Sequence, residues 1–226
     1  MARKTPVPHS AIQPSPDYKD FGTTLQLLRP FLAVSAIDLI GIAVNSIALQ
    51  WLSKPLLAPV LLILVYVLRE NRAIDRVAIG LVLACGGDIA LLVGGETAFL
   101  VGMGCFLVTQ IAFTTAFLRH RSPPVTAFLI YVPCWAVANF LLWTPLGPLA
   151  VPVLVYSLAL ALMAITATGV SSRVALGGGL FLISDMLIGI HVAGVAVPCH
   201  GLAVMTTYIA ALLLITTGWV DATPGR

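Results

Sequence analysis

Eight runs of apolar residues, most of them close to 20 long, occupy this chain from residue 31 to residue 219 and constrain its fold more than any motif does. They fall at about 31–51, 55–69, 74–94, 97–118, 124–143, 147–168, 173–193 and 199–219, the second short enough to extend into its flanks. Roughly 20 apolar residues is what a helix needs to cross a bilayer. The 226 residues are 59% hydrophobic and only 9% charged, too little charge for a soluble domain of this size. The predicted fold is therefore all-α, an integral membrane bundle of eight transmembrane helices over residues 30–220. A disordered cytoplasmic tail (1–29) would precede it and a short cytoplasmic tail (221–226) would follow.

Charge orients such a bundle. With eight spans, eleven of the twelve basic residues collect on the side of the N-terminus: Arg3, Lys4, Lys19, Arg29, Arg69, Arg72, Arg76, Arg119, Arg121, Arg173 and Arg226. The positive-inside rule then puts both termini in the cytoplasm. The net charge of +3 is explained by topology and contact with anionic lipid, so no nucleic-acid partner is implied. The first 29 residues are polar, carry Pro6, Pro8, Pro14 and Pro16, and show no signal peptide; they read as a tail. The exception is Lys54, in Ser53-Lys54-Pro55, alone among the cations on the outer side at the start of the second helix. It is either an interfacial lysine snorkelling to water or an anion contact for a lipid phosphate or a carboxylate. Pro55 suits a first-turn position.

Two aspartates lie deep in apolar helices in matching surroundings. Asp88 follows Arg76-Val-Ala-Ile-Gly80 and Asp185 follows Arg173-Val-Ala-Leu-Gly177, with an offset of 97 residues that Leu83 and Leu180 share. Each carboxylate is twelve residues past its arginine, or roughly 18 Å along a helix, which places both in the outer half of the membrane. An ionised carboxylate at such depth costs roughly 2.5–3.5 kcal/mol on insertion scales, so it is usually paired, buried in the bundle or functional. Two at one depth suggest a shared, outward-facing pocket with Lys54. Small residues (Ala78, Gly80, Ala84, Gly86, Gly87 and Ala90; Gly177, Gly178, Gly179, Ser184 and Gly189) allow both helices close neighbours. The match fades outside these two helices, leaving a weak four-plus-four repeat.

Other polar residues in the spans are Asp38 and Asn45, seven apart on one face of helix 1, Gln110 with Thr109 and Thr114 in helix 4, Tyr156 in helix 6 and Tyr208 in helix 8. Each would line a cavity or bond across helices. Trp51, Trp143 and Trp219 fall at helix ends, as an aromatic belt does. No HExxH, GxSxG or phosphate loop occurs, and Cys85, Cys105, Cys134 and Cys199 form no CxxC. His191 and His200 with Asp185 would suit a metal, as in zinc-dependent seven-helix lipid hydrolases, but the His-x-x-x-His pair of those enzymes is missing. Neither metal nor organic cofactor is expected. On spacing and composition alone, an intramembrane enzyme and a proton-coupled carrier of a small molecule or lipid stand level. Helix glue is a third reading. The crowding of polar groups in the outer half, apart from Asp38 and Asn45, favours a dead-end pocket over a path across the membrane.

Several segments, in order from about residue 50 to 216, resemble the YhhN-type lysoplasmalogenases. They are Lys54-Pro55-Leu56, Gly87-Asp88, Phe106-Leu107-Val108-Thr109-Gln110, Pro152-Val153-Leu154-Val155-Tyr156 with Met163, Gly179-Leu180-Phe181-Leu182-Ile183-Ser184-Asp185 and Tyr208-Ile209-Ala210. Two departures are visible: Gln110 stands where many relatives have His, and Ala211 where Gln or His is common. The resemblance implies hydrolysis of the vinyl ether bond of lysoplasmalogens to a fatty aldehyde and a glycerophospho-alcohol. Vinyl ethers hydrolyse through protonation at the β carbon, giving an oxocarbenium ion that water attacks, and glycosidases meet that cation with two carboxylates. Asp88 and Asp185 would be the acid and base, Lys54 would hold the phosphate and Tyr156 would orient a carboxylate or the water. Gln110, Asp38, Asn45 and Tyr208 would complete the substrate site. The partners implied are a lysophospholipid substrate and membrane lipids, with no obligate protein partner. Nine Arg against three Lys in a chain rich in Ala, Val and Gly points to a GC-rich bacterial gene and hence a bacterial plasma membrane.

Overall fold

The structure, a computed structural model, describes residues 17–68 and 75–223, and these are helical almost throughout. In order come α1 (Asp17–Ala43), α2 (Ile47–Leu68), α3 (Arg76–Val93), α4 (Glu96–His120), α5 (Val125–Leu146), α6 (Ala150–Ala167), α7 (Ser172–Val192) and α8 (His200–Ala222). A 3-10 turn, Gly147–Leu149, joins α5 to α6. Counted as continuous stretches there are seven, six of them long and apolar enough to cross a membrane, with 125–167 as one. The starts of α3 and α7 are set by capping: Asp75 accepts from the Val77 N–H at 3.0 Å and Ser171 from the Val174 N–H at 3.2 Å. Of the proposed N-terminal tail, residues 1–16 lie outside the described residues, and 17–29 form the first turns of α1.

The first break falls earlier than expected, at Val44–Ser46 rather than near residue 53. Asn45 adopts φ +54°, in the left-handed region that Asn tolerates better than most residues. Its N–H donates to the Ile42 carbonyl at 3.1 Å and the Ser46 N–H to the Gly41 carbonyl at 2.7 Å, the paired closure of a Schellman motif. Asn45 is thus the exposed residue that ends α1, not a partner of Asp38 on one helical face. The early break also places Lys54 about two turns inside α2 instead of at its head, and half-buries it there.

Consecutive helices pack as hairpins except α4 and α5, and α8 returns against α2 and α1 to close the bundle. The pairings repeat between halves. Those of α1 with α2, α2 with α3, α3 with α4 and α8 with α2 correspond to α5 with α6, α6 with α7, α7 with α8 and α4 with α6. The weak sequence repeat is therefore a repeat of packing as well. One correspondence fails: α1 rests on both α2 and α8, whereas α5 rests on α6 without comparable packing on α4. The core between the halves holds Phe31, Leu57, Leu61, Phe113, Phe181, Met163, Leu212 and Ile215, all buried.

Two glycines of the repeat allow the close approach. A Cβ on Gly80 would stand 2.4 Å from the Phe113 ring, and one on Gly177 would stand 2.8 Å from Ile215 Cγ1 and 2.9 Å from the Ile215 backbone nitrogen. Backbone cannot yield as a side chain can, so Gly177→Val should cost about 1–3 kcal/mol through overpacking. Thermal unfolding in detergent should show a lowered midpoint for that variant. Gly104→Ala, with nothing within 4 Å of the new Cβ, should melt like the wild type.

Candidate active site

Asp185 and Asp88 sit at equivalent depths of α7 and α3 and are satisfied in reciprocal fashion. A carboxylate buried among apolar side chains needs hydrogen-bond donors. For Asp185 these are the Tyr156 hydroxyl of α6 and Gln110 Nε2 of α4, at 3.3 Å, both directed at Oδ2. For Asp88 the donor is the Tyr208 hydroxyl of α8, at 2.8 Å. Each aspartate is therefore bonded by the last helix of the opposite half, and Tyr208 stands 98 residues after Gln110, within one residue of the repeat. Gln110 is fully buried and its Oε1 has no partner, so its amide retains a free acceptor next to Asp185.

Asp88 is nearly inaccessible, at 2% exposure, and the aromatic packing around it explains why. Phe106 and Phe181 meet Tyr208 edge to face with ring centroids 5.9 and 5.6 Å away, and Phe106 lies 6.3 Å from Phe181. Gly87, the neighbour of Asp88, makes room for the Phe106 ring, which would come within 2.7 Å of any Cβ there. The two carboxylates remain within Coulombic reach of each other. Lys54 is within such reach of both Asp88 and Asp38. Asp38, wholly buried on α1, accepts from Ser53 Oγ at 3.0 Å through Oδ1, while its Oδ2 has no partner. Beside this cluster the Cys85 thiol donates to the Pro55 carbonyl at 3.3 Å, a carbonyl that α2 leaves open at the turn carrying its proline pair.

Where α4, α5, α6 and α7 meet, a cavity of about 540 Å³ opens. Its wall is apolar for the most part (Phe99, Met103, Phe106, Leu160, Ile183, Ile188), with Asp185 and Tyr156 among the few polar groups. Ile130, Ile183 and Met186 on its rim are exposed on the outer surface of the bundle. The Tyr131 hydroxyl reaches α7 at Gly179, where a Cβ would stand 3.5 Å from it. The cavity exists because α5 does not lie on α4 as α1 lies on α8.

Of the residues singled out in the sequence, the structure brings Asp185, Tyr156 and Gln110 into one hydrogen-bonded group, and Asp88 with Tyr208 into another. Lys54 and Asp38 belong with Asp88 and are not among the residues lining the cavity. Asn45 is in the α1–α2 turn. His191 and His200 stack with ring centroids 4.2 Å apart, and His200 Nε2 lies 3.2 Å from the Leu187 carbonyl. No third metal-ligating side chain joins them among the described residues. Sequence reasoning missed Phe106 and Phe181 as a partition, and also Ser53, Trp135, Asn139 and Ser157. Asn139 carried a signal, since a lone amide in an apolar span usually has a partner.

Residues 49–219 match the YhhN family. The chain is 33% identical over 153 residues to the lysoplasmalogenases of Mycobacterium bovis and Mycobacterium tuberculosis. The matched stretch covers 62% of this chain and 58% of each relative. No solved structure matches the chain. A match across three quarters of the sequence, on a multi-pass helical membrane protein with the repeated aspartates in their hydrogen-bonded places, settles its kinship: the chain belongs to the YhhN family.

Proposed function

We propose that this protein is a membrane hydrolase that cleaves the vinyl ether bond of lysoplasmalogens, using the two intramembrane aspartates and no metal. The observation that carries this reading is Asp185, held by Tyr156 and Gln110 in the wall of a largely apolar cavity that opens towards lipid. A single-chain lipid is the substrate shape that such a cavity admits from the bilayer, and the mycobacterial relatives are named lysoplasmalogenases.

In this reading Asp185 carries a proton at rest and delivers it to the β carbon of the enol ether, while the ether oxygen feeds electrons into the new oxocarbenium ion. The carboxylate left on Asp185 stabilises that cation, then takes a proton from the water that attacks it. The hemiacetal so formed collapses to the aldehyde and the glycerol alcohol. Tyr156 and Gln110 fix the carboxyl group through their hydrogen bonds to its Oδ2. Asp88 is the second carboxylate, set behind Phe106 and Tyr208, and its charge supports the cation through the field. Lys54, whose charge acts on Asp88 and Asp38, offsets those carboxylates rather than holding the phosphate. We further propose eight crossings with both termini cytoplasmic, in a bacterial plasma membrane, from the distribution of the basic residues.

Purified protein should release aldehyde from a defined lysoplasmalogen in detergent, unaffected by chelator. Asp185→Asn should lower kcat/KM by about 10³-fold or more, as loss of a general acid does. Asp88→Asn should also abolish most turnover, and retention of activity in both variants would rule out the carboxylate mechanism. Tyr156→Phe should lose about tenfold in kcat, the cost of one hydrogen bond to a charged group, and an unchanged rate would remove Tyr156 from the site. No release by well-folded wild type would point instead to a carrier, read by proton flux in liposomes. For topology, a fluorescent protein fused after Arg226 should fluoresce in a bacterial host, and a dark but inserted fusion would reverse the orientation.

A further inference from the structure

Trp135, Asn139 and Ser157 form a hydrogen-bonded network in the wall of the same cavity, and nothing in the proposed chemistry uses it. Trp135 Nε1 donates to Ser157 Oγ at 3.0 Å, and Asn139 Nδ2 donates to the Trp135 carbonyl at 2.9 Å. The Ser157 hydroxyl lies 3.1 Å from Asn139 Oδ1 and also 3.1 Å from the Leu154 carbonyl. A hydroxyl has one proton and can serve only one acceptor at a time. When that proton goes to Leu154, which costs the helix nothing, Asn139 Oδ1 is released. The primary amide of Asn139 has a second N–H in addition to the one that Trp135 takes. Asn139 therefore presents one donor and one acceptor, side by side, within a mostly apolar wall.

The group that fits such a pair is a hydroxyl, which donates and accepts together. A phosphate oxygen or an ester carbonyl accepts only, and would meet Asn139 Oδ1 with nothing to give it. The location fits as well. Both α5 and α7 pack on α6, with short connections on either side of it, and so run parallel to one another. Asn139 is 14 residues past Val125 and Asp185 is 13 past Ser172, or roughly 20 Å along each helix. Asp185 is bonded to Tyr156 and Asn139 to Ser157, the next residue of α6, so the amide and the candidate acid stand at about one depth in the wall of one cavity. In a lysoplasmalogen the free glycerol hydroxyl is on the carbon next to the one bearing the ether.

We infer that Asn139, braced by Ser157 and Trp135, is a specificity subsite that takes the free glycerol hydroxyl of a single-chain lipid and so sets the ether bond against Asp185. This rests on the hydrolase reading above. It explains how the site would distinguish a lysolipid from its two-chain parent, in which that oxygen is esterified and has no proton to donate.

The test compares a lysoplasmalogen with the analogue in which that hydroxyl is methylated, in wild type, Asn139→Leu and Ser157→Ala. Wild type should favour the free hydroxyl roughly tenfold in kcat/KM, the scale of one well-placed hydrogen bond. Asn139→Leu should erase the preference by losing rate on the hydroxyl substrate alone, and Ser157→Ala should reduce it. A wild type without preference, or an Asn139→Leu variant in which both rates fall in proportion, overturns the subsite. Binding of the saturated alkyl ether lysolipid and its methylated form gives a readout free of turnover. If wild type cleaves nothing yet binds the hydroxyl form more tightly in an Asn139-dependent way, the subsite stands and the hydrolase reading fails.

Discussion

The fold depends on the satisfaction of two carboxylates in a medium that offers no water. An unpaired polar group in hydrocarbon costs several kcal/mol, so α3 and α7 cannot sit anywhere that lacks donors for Asp88 and Asp185. The donors come from across the repeat: Tyr208 of α8 for Asp88, and Gln110 of α4 for Asp185. These bonds tie the halves together at the depth where apolar packing alone discriminates least between helix faces, because lipid tails solvate leucine as well as another helix does. Within each half, Gly80 and Gly177 let α3 lie close on α4 and α7 close on α8, the helices that carry Gln110 and Tyr208.

The two aspartates are equivalent in the repeat and unequal in the structure. Asp88 is sealed by Phe106, Phe181 and Tyr208, whereas Asp185 faces a cavity. The difference arises one helix away, in the contrast between α1, which covers the groove of α2 and α8, and α5, which leaves its own groove open. A symmetry broken in this way leaves one carboxylate buried and the other in the wall of a cavity. The Asp38, Ser53 and Lys54 cluster belongs with Asp88 and does not line the cavity.

The helical, multi-pass character of the chain was legible in the sequence because the hydrocarbon thickness sets a length and the lack of water sets a composition, and both are local properties. The matched aspartates were legible for the same reason, since each is anomalous in its own helix. What could not be read was which donor meets which carboxylate: Tyr156 and Gln110 are 29 and 75 residues from Asp185, and Tyr208 is 120 from Asp88. Asn45 was misread because its polarity suits a lining residue as well as a helix terminus, and only its left-handed backbone decides between them. That one turn also sets Lys54 about two turns inside α2 rather than at its head.

The sequence by itself determined an all-helical membrane protein of the YhhN kind with two deep carboxylates at one level, because periodic cost and benefit in hydrocarbon act residue by residue. Tertiary structure alone decided that Asp185 and not Asp88 lines the cavity, that Phe106 and Phe181 pack on Tyr208, and that Asn139 and Ser157 line the same cavity as Asp185. Those outcomes turn on how α5 leans on α6, a packing choice among apolar faces that look alike in one dimension and differ only when all the helices are assembled.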